Sequence, residues 1–401
     1  MSEVLVLGSG FAGLWAALGA ARRLDELGAA HGGVKITVLS SQPYHDIRVR
    51  NYEADLTPCR IPLRDVLDPA GVGHMAADVT GIDPKSHTVT TSLGPHGYDR
   101  LVIALGSQVV KPDIPGLAEY GFDVDTFDGA MTLQRHLAAL AGGPHTPSAA
   151  TAVVVGAGLT GIETACELPA RLRTLFPDVA TRVVLVDRNP HVGSDMGTSA
   201  RPVIEAALSA TGVQSRLGVG ITAVDETGAT LSTGEVLAAS TVVWCAGMRA
   251  NPLTADLGVP RDRLGRVAVD DYLRVNGVQD VFAAGDVAAA KMDETHLSVM
   301  SCQHGRPMGR FAGYNVISDL LDQPMLTLRI PWYVTVLDLG PAGAVYTEGW
   351  DRQVIATGAS AKSTKCTINA ARIYPPLNGD RDAILAAAAP TVQSRPAGGA
   401  G

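Results

Sequence analysis

Two short glycine-rich segments have the residues needed to bind a diphosphate group. Both follow the pattern G-x-G-x-x-G, as Gly8-Ser9-Gly10-Phe11-Ala12-Gly13 and again as Gly156-Ala157-Gly158-Leu159-Thr160-Gly161. In this pattern the first glycine permits a sharp turn, the second lets the backbone approach the ligand, and the third lets the next helix pack closely. Unpaired amide groups at the helix start then point toward the phosphates. One copy is weak evidence, but two copies between a strand and a helix are strong.

The sequence around both segments predicts that each joins a buried strand to a helix. Residues 4–7 and 152–155 are continuous apolar runs, which are typical of parallel strands buried on both faces. A helix and a second apolar strand are predicted after each turn, over residues 14–27 and 36–39 in the first copy and over 162–175 and 183–186 in the second. Two such βαβ units predict an α/β fold with two Rossmann-type domains.

The residue that ends the second strand of each unit helps to predict which nucleotide binds to that unit. Asp187 has this position in the second copy, where a carboxylate accepts hydrogen bonds from the ribose of NAD and repels a 2′-phosphate. Arg188 follows directly and could instead pair with a 2′-phosphate. We therefore predict an NAD(P)H site with NADH favoured. In the first copy Ser40 replaces the acid, which leaves the ribose contact open but not the diphosphate cradle.

Composition argues against several other classes of protein. The net charge is −8 and no run of Lys and Arg occurs, so we expect no nucleic-acid partner. The five cysteines are scattered without a C-x-x-C pair, so we predict neither a metal site nor a disulfide framework. No apolar stretch reaches the roughly 18 residues of a membrane-spanning helix. We expect a soluble, cytoplasmic protein.

Three further segments resemble the two-dinucleotide flavoprotein reductases, and in particular soluble relatives of the type II NADH dehydrogenases. Residues 98–107 (YDRLVIALGS) are similar to the end of the first FAD half, and residues 241–247 (TVVWCAG) to the end of the nicotinamide domain. Residues 277–286 (GVQDVFAAGD) are similar to the second FAD fingerprint. The resemblance implies an enzyme that binds FAD and NAD(P)H and passes a hydride from the nicotinamide to the flavin.

The order of these motifs also implies the domain organisation. We expect an FAD domain of residues 1–113 and 270–325, with an NAD(P) domain of residues 114–269 inserted into it. Each should have three layers, with helices on both faces of its sheet. A small C-terminal α+β domain should cover residues 326–388, and residues 389–401 are predicted to be disordered. Whether the chain forms a homodimer is left open.

Site residues follow where the chain matches the family motifs. Asp286 is expected to bind the ribityl or pyrophosphate region of FAD. Glu163 is expected beside the nicotinamide and is one of two predicted catalytic residues; a helix-capping role is its alternative. The predicted cofactor contacts are Gly8, Gly10, Phe11, Ala12, Gly13, Ser40, Arg48, Val79, Ala104, Leu105, Gly106, Gly156, Gly158, Leu159, Thr160, Gly161, Glu163, Asp187, Arg188, Ala246, Gly247, Gly285, Asp286, Gln303 and His304.

The acceptor motif is where the chain departs from the family. Type II NADH dehydrogenases hold a quinone near A-Q-x-A-x-x-Q-G, and residues 302–309 here read CQHGRPMG. Gln303, the second predicted catalytic residue, and Gly309 agree with the motif. Met308 replaces the second glutamine, and both alanines are changed. We predict a quinone-like or other small-molecule acceptor at an altered site.

Several alternatives stay open at this stage. The chain could be a reductase that feeds a ferredoxin or oxygenase, or a non-catalytic FAD/NADH redox sensor resembling apoptosis-inducing factor. A disulfide reductase is disfavoured because residues 44–55, where its cysteines would lie, contain none. Cys302 and Cys366 could converge at the flavin, as paired cysteines do in sulfide:quinone oxidoreductases. Arg48 and Arg50 could stabilise a reduced flavin or bind an acidic acceptor.

Overall fold

Two five-stranded parallel sheets form the framework of the protein. The computed structural model describes residues 2–28 and 33–396. The first sheet has the strand order Val281–Ala283, Arg100–Ile103, Ser2–Leu7, Val34–Ser40 and Gly73–Ala76. The second has the order Gly121–Phe122, Thr241–Trp244, Thr151–Val155, Arg182–Asp187 and Val213–Leu217. The predicted α/β class with two Rossmann-type sheets is confirmed.

The strand before each glycine-rich turn is the centre of its sheet. Both faces of these two strands are covered, which is why their sequences are continuous apolar runs instead of alternating ones. The helices Phe11–Leu27 and Leu159–Leu175 follow directly. The remaining α-helices of the described ranges are Arg64–Ala70, Leu117–Tyr120, Phe127–Ala141, Gly197–Thr211, Cys302–Leu320, Gly358–Thr367 and Arg381–Ala387.

The two domains repeat one order of elements. The first domain inserts a three-stranded antiparallel sheet after three of its parallel strands, and the second domain inserts one after four. Each domain then returns to its parallel sheet, through Arg100–Ile103 or Thr241–Trp244. The inserted strands are Val79–Asp83, Thr88–Thr91 and Gly94–Gly97 in the first domain and Ile221–Asp225, Gly228–Leu231 and Val236–Ala238 in the second. The duplication seen in the glycine patterns therefore extends over whole domains.

The chain passes between the domains through a pair of short antiparallel strands, Ser107–Val109 and Met248–Ala250. The return crossing ends earlier than the predicted boundary at residue 269. Leu257, Val267 and Val269 pack into the core of the first domain. Residues 251–269, expected in the NAD(P) domain, thus lie with the FAD domain. Further two-stranded ladders pair Val267–Ala268 with Ala288–Ala289 and Tyr44–Asp46 with Arg60–Pro62.

The C-terminal segment combines a sheet with helices. Its antiparallel strands are Val334–Asp338, Ala344–Glu348 and Gln353–Thr357. The helix Gly358–Thr367 packs on this sheet, continues as a π-helical turn over Ile368–Arg372, and is followed by Arg381–Ala387, which packs against the first domain.

The start of the tail that was predicted to be disordered has defined contacts. The backbone carbonyl of Ser394 accepts a hydrogen bond from Arg372 at 2.6 Å. The carbonyl of Pro396 accepts one from Tyr346 Oη at 2.7 Å. Residues 397–401 lie outside the described residues. Within the described ranges, none of the helices combines the length and apolar character needed to cross a bilayer.

Two helices whose first turns lie at the same end of the molecule pack backbone to backbone. A Cβ on Gly309, in Cys302–Leu320, would lie 2.3 Å from the carbonyl oxygen of Ala12, in Phe11–Leu27. A Cβ on Gly313 would lie 2.0 Å from the carbonyl oxygen of Ala16. Close packing of the two helices thus requires glycine at positions 309 and 313. This packing explains why Gly309 agrees with the family motif.

Candidate active site

A cleft of about 1510 Å³ opens where the carboxyl ends of both parallel sheets face the C-terminal sheet. Ligands of doubly wound folds bind at this edge of the strands. The cleft is lined by both glycine-rich turns, by the start of the helix Cys302–Leu320 and by residues of Val334–Asp338 and Gly358–Thr367. Elements from all three parts of the chain therefore meet at one site.

The two glycine-rich turns have the same geometry. Gly8 and Gly156 have φ values of +97° and +108°, which side chains with a Cβ rarely adopt. A Cβ on Gly13 would lie 1.9 Å from the carbonyl oxygen of Gly8, and one on Gly161 would lie 1.7 Å from that of Gly156. Each outer pair of glycines therefore permits the strand-to-helix turn itself.

The middle glycines leave room for a ligand. No atom lies within 4 Å of a Cβ built on Gly10, and the nearest to one built on Gly158 is Asp195 Oδ2, at an ordinary contact distance of 3.7 Å. Gly10 and Gly158 are the N-cap residues of their helices and, as glycines, supply no side-chain cap to the first turn. The amide groups of both helix starts are thus available to an anion in the cleft. These cradles fit the two diphosphates of FAD and a nicotinamide dinucleotide.

Asp286 lies beside the first cradle, because a Cβ on the preceding Gly285 would lie 2.7 Å from the Cβ of Ala12. Its Oδ2 accepts a hydrogen bond of 2.6 Å from Ser107 Oγ and lies 4.0 Å from the guanidinium of Arg48. Burial raises the pKa of Asp286, and both neighbours oppose that shift. Arg48 also donates to the Ser107 carbonyl at 2.9 Å and pairs with Asp125. Arg48 is therefore held by the protein, next to the predicted FAD site.

The second cradle is tied to Asp187. Its Oδ2 accepts a hydrogen bond of 2.5 Å from the Ala157 amide, and its Oδ1 accepts one of 2.7 Å from the Asn189 amide. These bonds orient the carboxylate at the cleft wall, next to Arg188, which also lines the cleft. An acid so placed can accept hydrogen bonds from ribose hydroxyls.

Glu163 and Lys365 form a buried ion pair at the cleft. Lys365 Nζ lies 2.7 Å from Glu163 Oε1 and also donates to the Val336 carbonyl at 3.1 Å. Glu163 Oε1 accepts a further bond from the Asp338 amide at 3.1 Å. Burial raises the pKa of Glu163, although Lys365 opposes the shift. Burial lowers the pKa of Lys365, but the charge of Glu163, its hydrogen bond and the charge of Asp338 together outweigh burial and raise the pKa.

Asp338 extends this pair into a network. Its carboxylate accepts a hydrogen bond of 3.1 Å from Tyr52 Oη and pairs with Lys362. Burial and the surrounding acids raise the pKa of Tyr52, so the phenol remains a donor. No sequence motif singled out Lys365, Lys362 or Asp338. These residues are recognised only in the folded structure, because the C-terminal sheet and the helix Gly358–Thr367 bring them to Glu163, which is distant in sequence.

The start of the helix Cys302–Leu320 faces the cleft. Gln303 lines it, and its buried Nε2 has no hydrogen-bond partner among the described residues. His304, predicted as a cofactor contact, points away from the cleft. Its Nδ1 accepts a 2.8 Å bond from the Val299 amide, and its ring packs beside Tyr333 and Trp350. The ring of His304 therefore fixes the preceding loop.

Most predicted contact residues line the cleft: Gly10, Phe11, Ala12, Arg48, Ala104, Gly106, Gly156, Gly158, Leu159, Thr160, Glu163, Asp187, Arg188, Ala246, Gly247, Gly285, Asp286 and Gln303. The rest lie behind or beyond its wall: Gly8, Gly13, Gly161, Ser40, Val79, Leu105 and His304. The three glycines shape the turns. Ser40 Oγ is hydrogen-bonded to His74 at 3.0 Å, and Val79 packs against the first core. Direct cofactor contact by these residues stays a prediction.

Comparison with known proteins identifies the family. The model of the family described as pyridine nucleotide-disulphide oxidoreductase matches residues 2–309. The chain belongs to this family. Its sequence is 70% identical over 400 residues to an NADH dehydrogenase-like protein of Mycobacterium tuberculosis, covering 99% of this chain and 100% of that protein. It is 32% identical over 324 residues to the type II NADH:quinone oxidoreductase NdhA of the same organism, covering 71% and 66%.

The fold of this family member matches solved structures over nearly its whole length. The structure of NDH2 from Plasmodium falciparum in complex with NADH superposes with a TM-score of 0.77 at 13% identity, covering 96% of this chain and 97% of that one. At this identity the likeness shows a shared fold. The resemblance read from the order of motifs is confirmed.

A disulphide, which the family's description names, is not found in this member. All five cysteines are free. Cys302 lines the cleft, whereas Cys366 is exposed and lies outside the lining, so the two do not form a pair at the site. Burial raises the pKa of the Cys302 thiol, which disfavours the reactive thiolate. No cluster of metal-ligating side chains occurs among the described residues.

The segment that replaces the disulfide region is internally paired. Arg50 forms an ion pair of 2.6 Å with Glu53 and donates to Tyr374 Oη at 2.8 Å. Arg50 lies outside the lining of the cleft. It therefore serves the packing of the C-terminal segment on the first domain, and the suggested role for it in binding an acidic acceptor has no geometric support.

Proposed function

We propose that this chain is an FAD-dependent oxidoreductase that transfers two electrons from NADH to a quinone-like small molecule. The observation that carries the proposal is a single cleft with two diphosphate cradles and a third wall formed by the helix start at Cys302. A nucleotide in one cradle and an acceptor at that wall would meet the same flavin. The quinone is supported by the relatives, one of which is a type II NADH:quinone oxidoreductase.

When bound in the first cradle, FAD supplies the two-electron relay between nucleotide and acceptor. The amides after Gly10 would hold its diphosphate, and Asp286 would accept hydrogen bonds from its hydroxyl groups. The amides after Gly158 would hold the diphosphate of NADH, and Asp187 would accept hydrogen bonds from the ribose. In the overall reaction NADH, one proton and a quinone give NAD⁺ and the hydroquinone.

Glu163 and Lys365 hold the proton that this reaction consumes. Their shared hydrogen bond of 2.7 Å keeps a proton at the cleft wall, and burial prevents water from stabilising the separated charges. The positive charge of Lys365 also favours negative charge arriving in the cleft with the electrons. The Asp338 amide donates to Glu163, and the Asp338 carboxylate accepts from Tyr52 and pairs with Lys362, so further polar groups hold the pair in place.

Catalysis is favoured over the sensor alternative because the relatives bear the names of enzymes. A ferredoxin or oxygenase partner receives no specific support from the described surface. The possible homodimer, the cytoplasmic location and the lack of a nucleic-acid partner stay predictions from the sequence.

The test is spectroscopic. The purified chain, incubated with FAD and freed of excess, should be yellow and should lose its flavin absorption when titrated anaerobically with one equivalent of NADH. Addition of a neutral naphthoquinone should restore the absorption faster than air does. A chain that stays colourless with FAD, or whose flavin ignores NADH, would overturn the proposal.

A further inference from the structure

Two buried arginines at the acceptor end of the cleft lack an anionic partner. Arg306 and Arg310 are 7% and 2% exposed, and both line the cleft. The Nε of each has no hydrogen-bond partner, and neither guanidinium forms an ion pair with any described residue. Other buried charges at this site, such as Glu163 and Lys365, are paired.

The contacts of these arginines do not neutralise them. The guanidinium carbons of Arg310 and Arg306 lie 4.2 and 5.5 Å from the centre of the Trp15 ring, which is 1% exposed. A cation–π contact stabilises a guanidinium but leaves its charge in place. Burial lowers the pKa of both to about 10, so both are charged at neutral pH.

The charge of Cys302 raises the pKa of Arg306, but burial raises the pKa of the Cys302 thiol and so favours its neutral form. The charge of Arg372 further lowers the pKa of Arg306, and that of Arg306 lowers the pKa of Arg310. No carboxylate contributes to either shift. Two buried like charges one helical turn apart are strongly destabilising unless an anion compensates them. The site is therefore built for a ligand that brings a negative charge.

The position of the pair in the helix defines the shape of that ligand. Arg306 and Arg310 follow Cys302, at the helix start, by one and two turns. At 1.5 Å rise per residue, four residues span about 6 Å, roughly the width of one aromatic ring. Ile373 and Val392, which line the cleft near Arg372, add apolar wall. A flat ring beside Gln303 would thus place a substituent within reach of both guanidiniums.

We propose that Arg306 and Arg310 are the anion subsite of the acceptor site, and that the acceptor is an aromatic quinone carrying a carboxylate or a similar anionic group. The inference rests on the proposed function and deepens it. An arginine fork binds a carboxylate or sulfonate through paired hydrogen bonds, and Trp15 keeps both forks in place. A long neutral isoprenoid substituent would leave both charges buried without a partner.

The test compares 1,2-naphthoquinone with 1,2-naphthoquinone-4-sulfonate, which share one ring system. Arg306→Met and Arg310→Met should each lower kcat/KM for the sulfonate about tenfold or more, because a hydrogen bond to a charged group is lost. The ratio of kcat/KM for the sulfonate to that for the neutral quinone should therefore fall about tenfold or more. Arg135→Met removes an exposed arginine of the helix Phe127–Ala141 and should change neither value.

Binding gives a readout that is independent of turnover. By calorimetry, FAD-loaded wild type should bind 2-naphthalenesulfonate at least about tenfold more tightly than the neutral 2-naphthalenesulfonamide. The methionine variants should lose this difference, and Arg306→Lys and Arg310→Lys should keep part of it. If the methionine variants do not retain FAD, the affinities of the wild type for the sulfonate and the sulfonamide, together with those of the lysine variants, test the proposal.

The two proposals fail differently. A flavin that NADH does not reduce overturns the proposed function. If NADH reduces the flavin but the protein binds and reduces the charged and neutral compounds equally well, the anion subsite is overturned and the proposed function stands. The same holds if the arginine variants lose activity equally with both compounds.

Discussion

Lys365 Nζ lies 2.7 Å from Glu163 Oε1, and this ion pair joins the helix Gly358–Thr367 to the helix Leu159–Leu175. Both side chains are buried, at 9% and 7% exposure. The pair therefore fixes the C-terminal sheet over the cleft and at the same time holds a charge at its wall. Loss of either partner should affect both structure and turnover.

Replacing Lys365 with Met should leave Glu163 buried without its partner. We expect the free energy of unfolding to fall by about 3 kcal/mol, the range found when one partner of a buried pair is removed. Reoxidation of the flavin by a quinone should slow more than its reduction by NADH, as measured by stopped-flow absorbance. Lys365→Met combined with Glu163→Gln should recover part of the stability. Equal slowing of both half-reactions would contradict the proposed role of the pair in supplying the proton that quinone reduction consumes.

Asp187 ends the second strand of the second βαβ unit, and Ser40 has the equivalent position in the first. The variant Asp187→Ser therefore places the same residue at both positions. The variant loses a carboxylate that can accept from the ribose, so kcat/KM for NADH should fall about tenfold or more. Use of NADPH should fall less or rise, because Arg188 remains to pair with a 2′-phosphate. Steady-state kinetics with both nucleotides measure the ratio, and an unchanged flavin content is the control. An unaltered NADH/NADPH ratio would exclude Asp187 as the selecting residue.

The parts of the fold that are predictable from sequence are those set by local backbone geometry. Gly8 and Gly156 adopt positive φ values, and Gly13 and Gly161 lie against a backbone carbonyl. Because only glycine meets both requirements easily, the spacing of the glycines predicts the turn. The strands and helices on either side follow because their apolar pattern is local too.

Other features depend on contacts between distant segments and have no local signal. Lys365 is one lysine in a polar helix until the fold brings it to Glu163. Arg306 lies inside the altered acceptor motif, but its sequence neighbours do not reveal that it is buried without a partner. The return of residues 251–269 to the first core likewise depends on a crossing between domains, and no composition change marks it.

Two buried histidines should make the FAD-loaded protein less stable in mild acid. Burial lowers the pKa of His45 and His304 from 6.5 to about 4. Between these values the unfolded chain binds more protons than the folded one, so the free energy of unfolding falls as pH falls. Each histidine contributes a slope of about 1.4 kcal/mol per pH unit. Urea unfolding from pH 7 to pH 5 measures the effect.

The variant His304→Asn isolates one of these contributions. An asparagine Oδ1 can accept the hydrogen bond from the Val299 amide that His304 Nδ1 accepts at 2.8 Å, but it cannot take up a proton. The slope of stability against pH should therefore decrease by about 1.4 kcal/mol per pH unit. A slope that survives His304→Asn would show that this histidine titrates normally.

A methyl group at Gly309 should separate the two helices that begin at the cleft. Its Cβ would lie 2.3 Å from the carbonyl oxygen of Ala12, a backbone atom that cannot move without shifting the first cradle. Gly309→Ala should therefore cost about 2 kcal/mol of stability or more and weaken FAD binding. The free energy of unfolding and the dissociation constant for FAD, by fluorescence, measure the two effects.

Gly142→Ala is the matched control, because its φ is −80° and its nearest contact to a new Cβ is an ordinary 3.6 Å. It should change stability by about 0.5 kcal/mol or less, as expected away from a packed interface. If Gly309→Ala behaved like this control, the helices would have room to separate. The glycine of the acceptor motif would then require another explanation, such as direct contact with the acceptor.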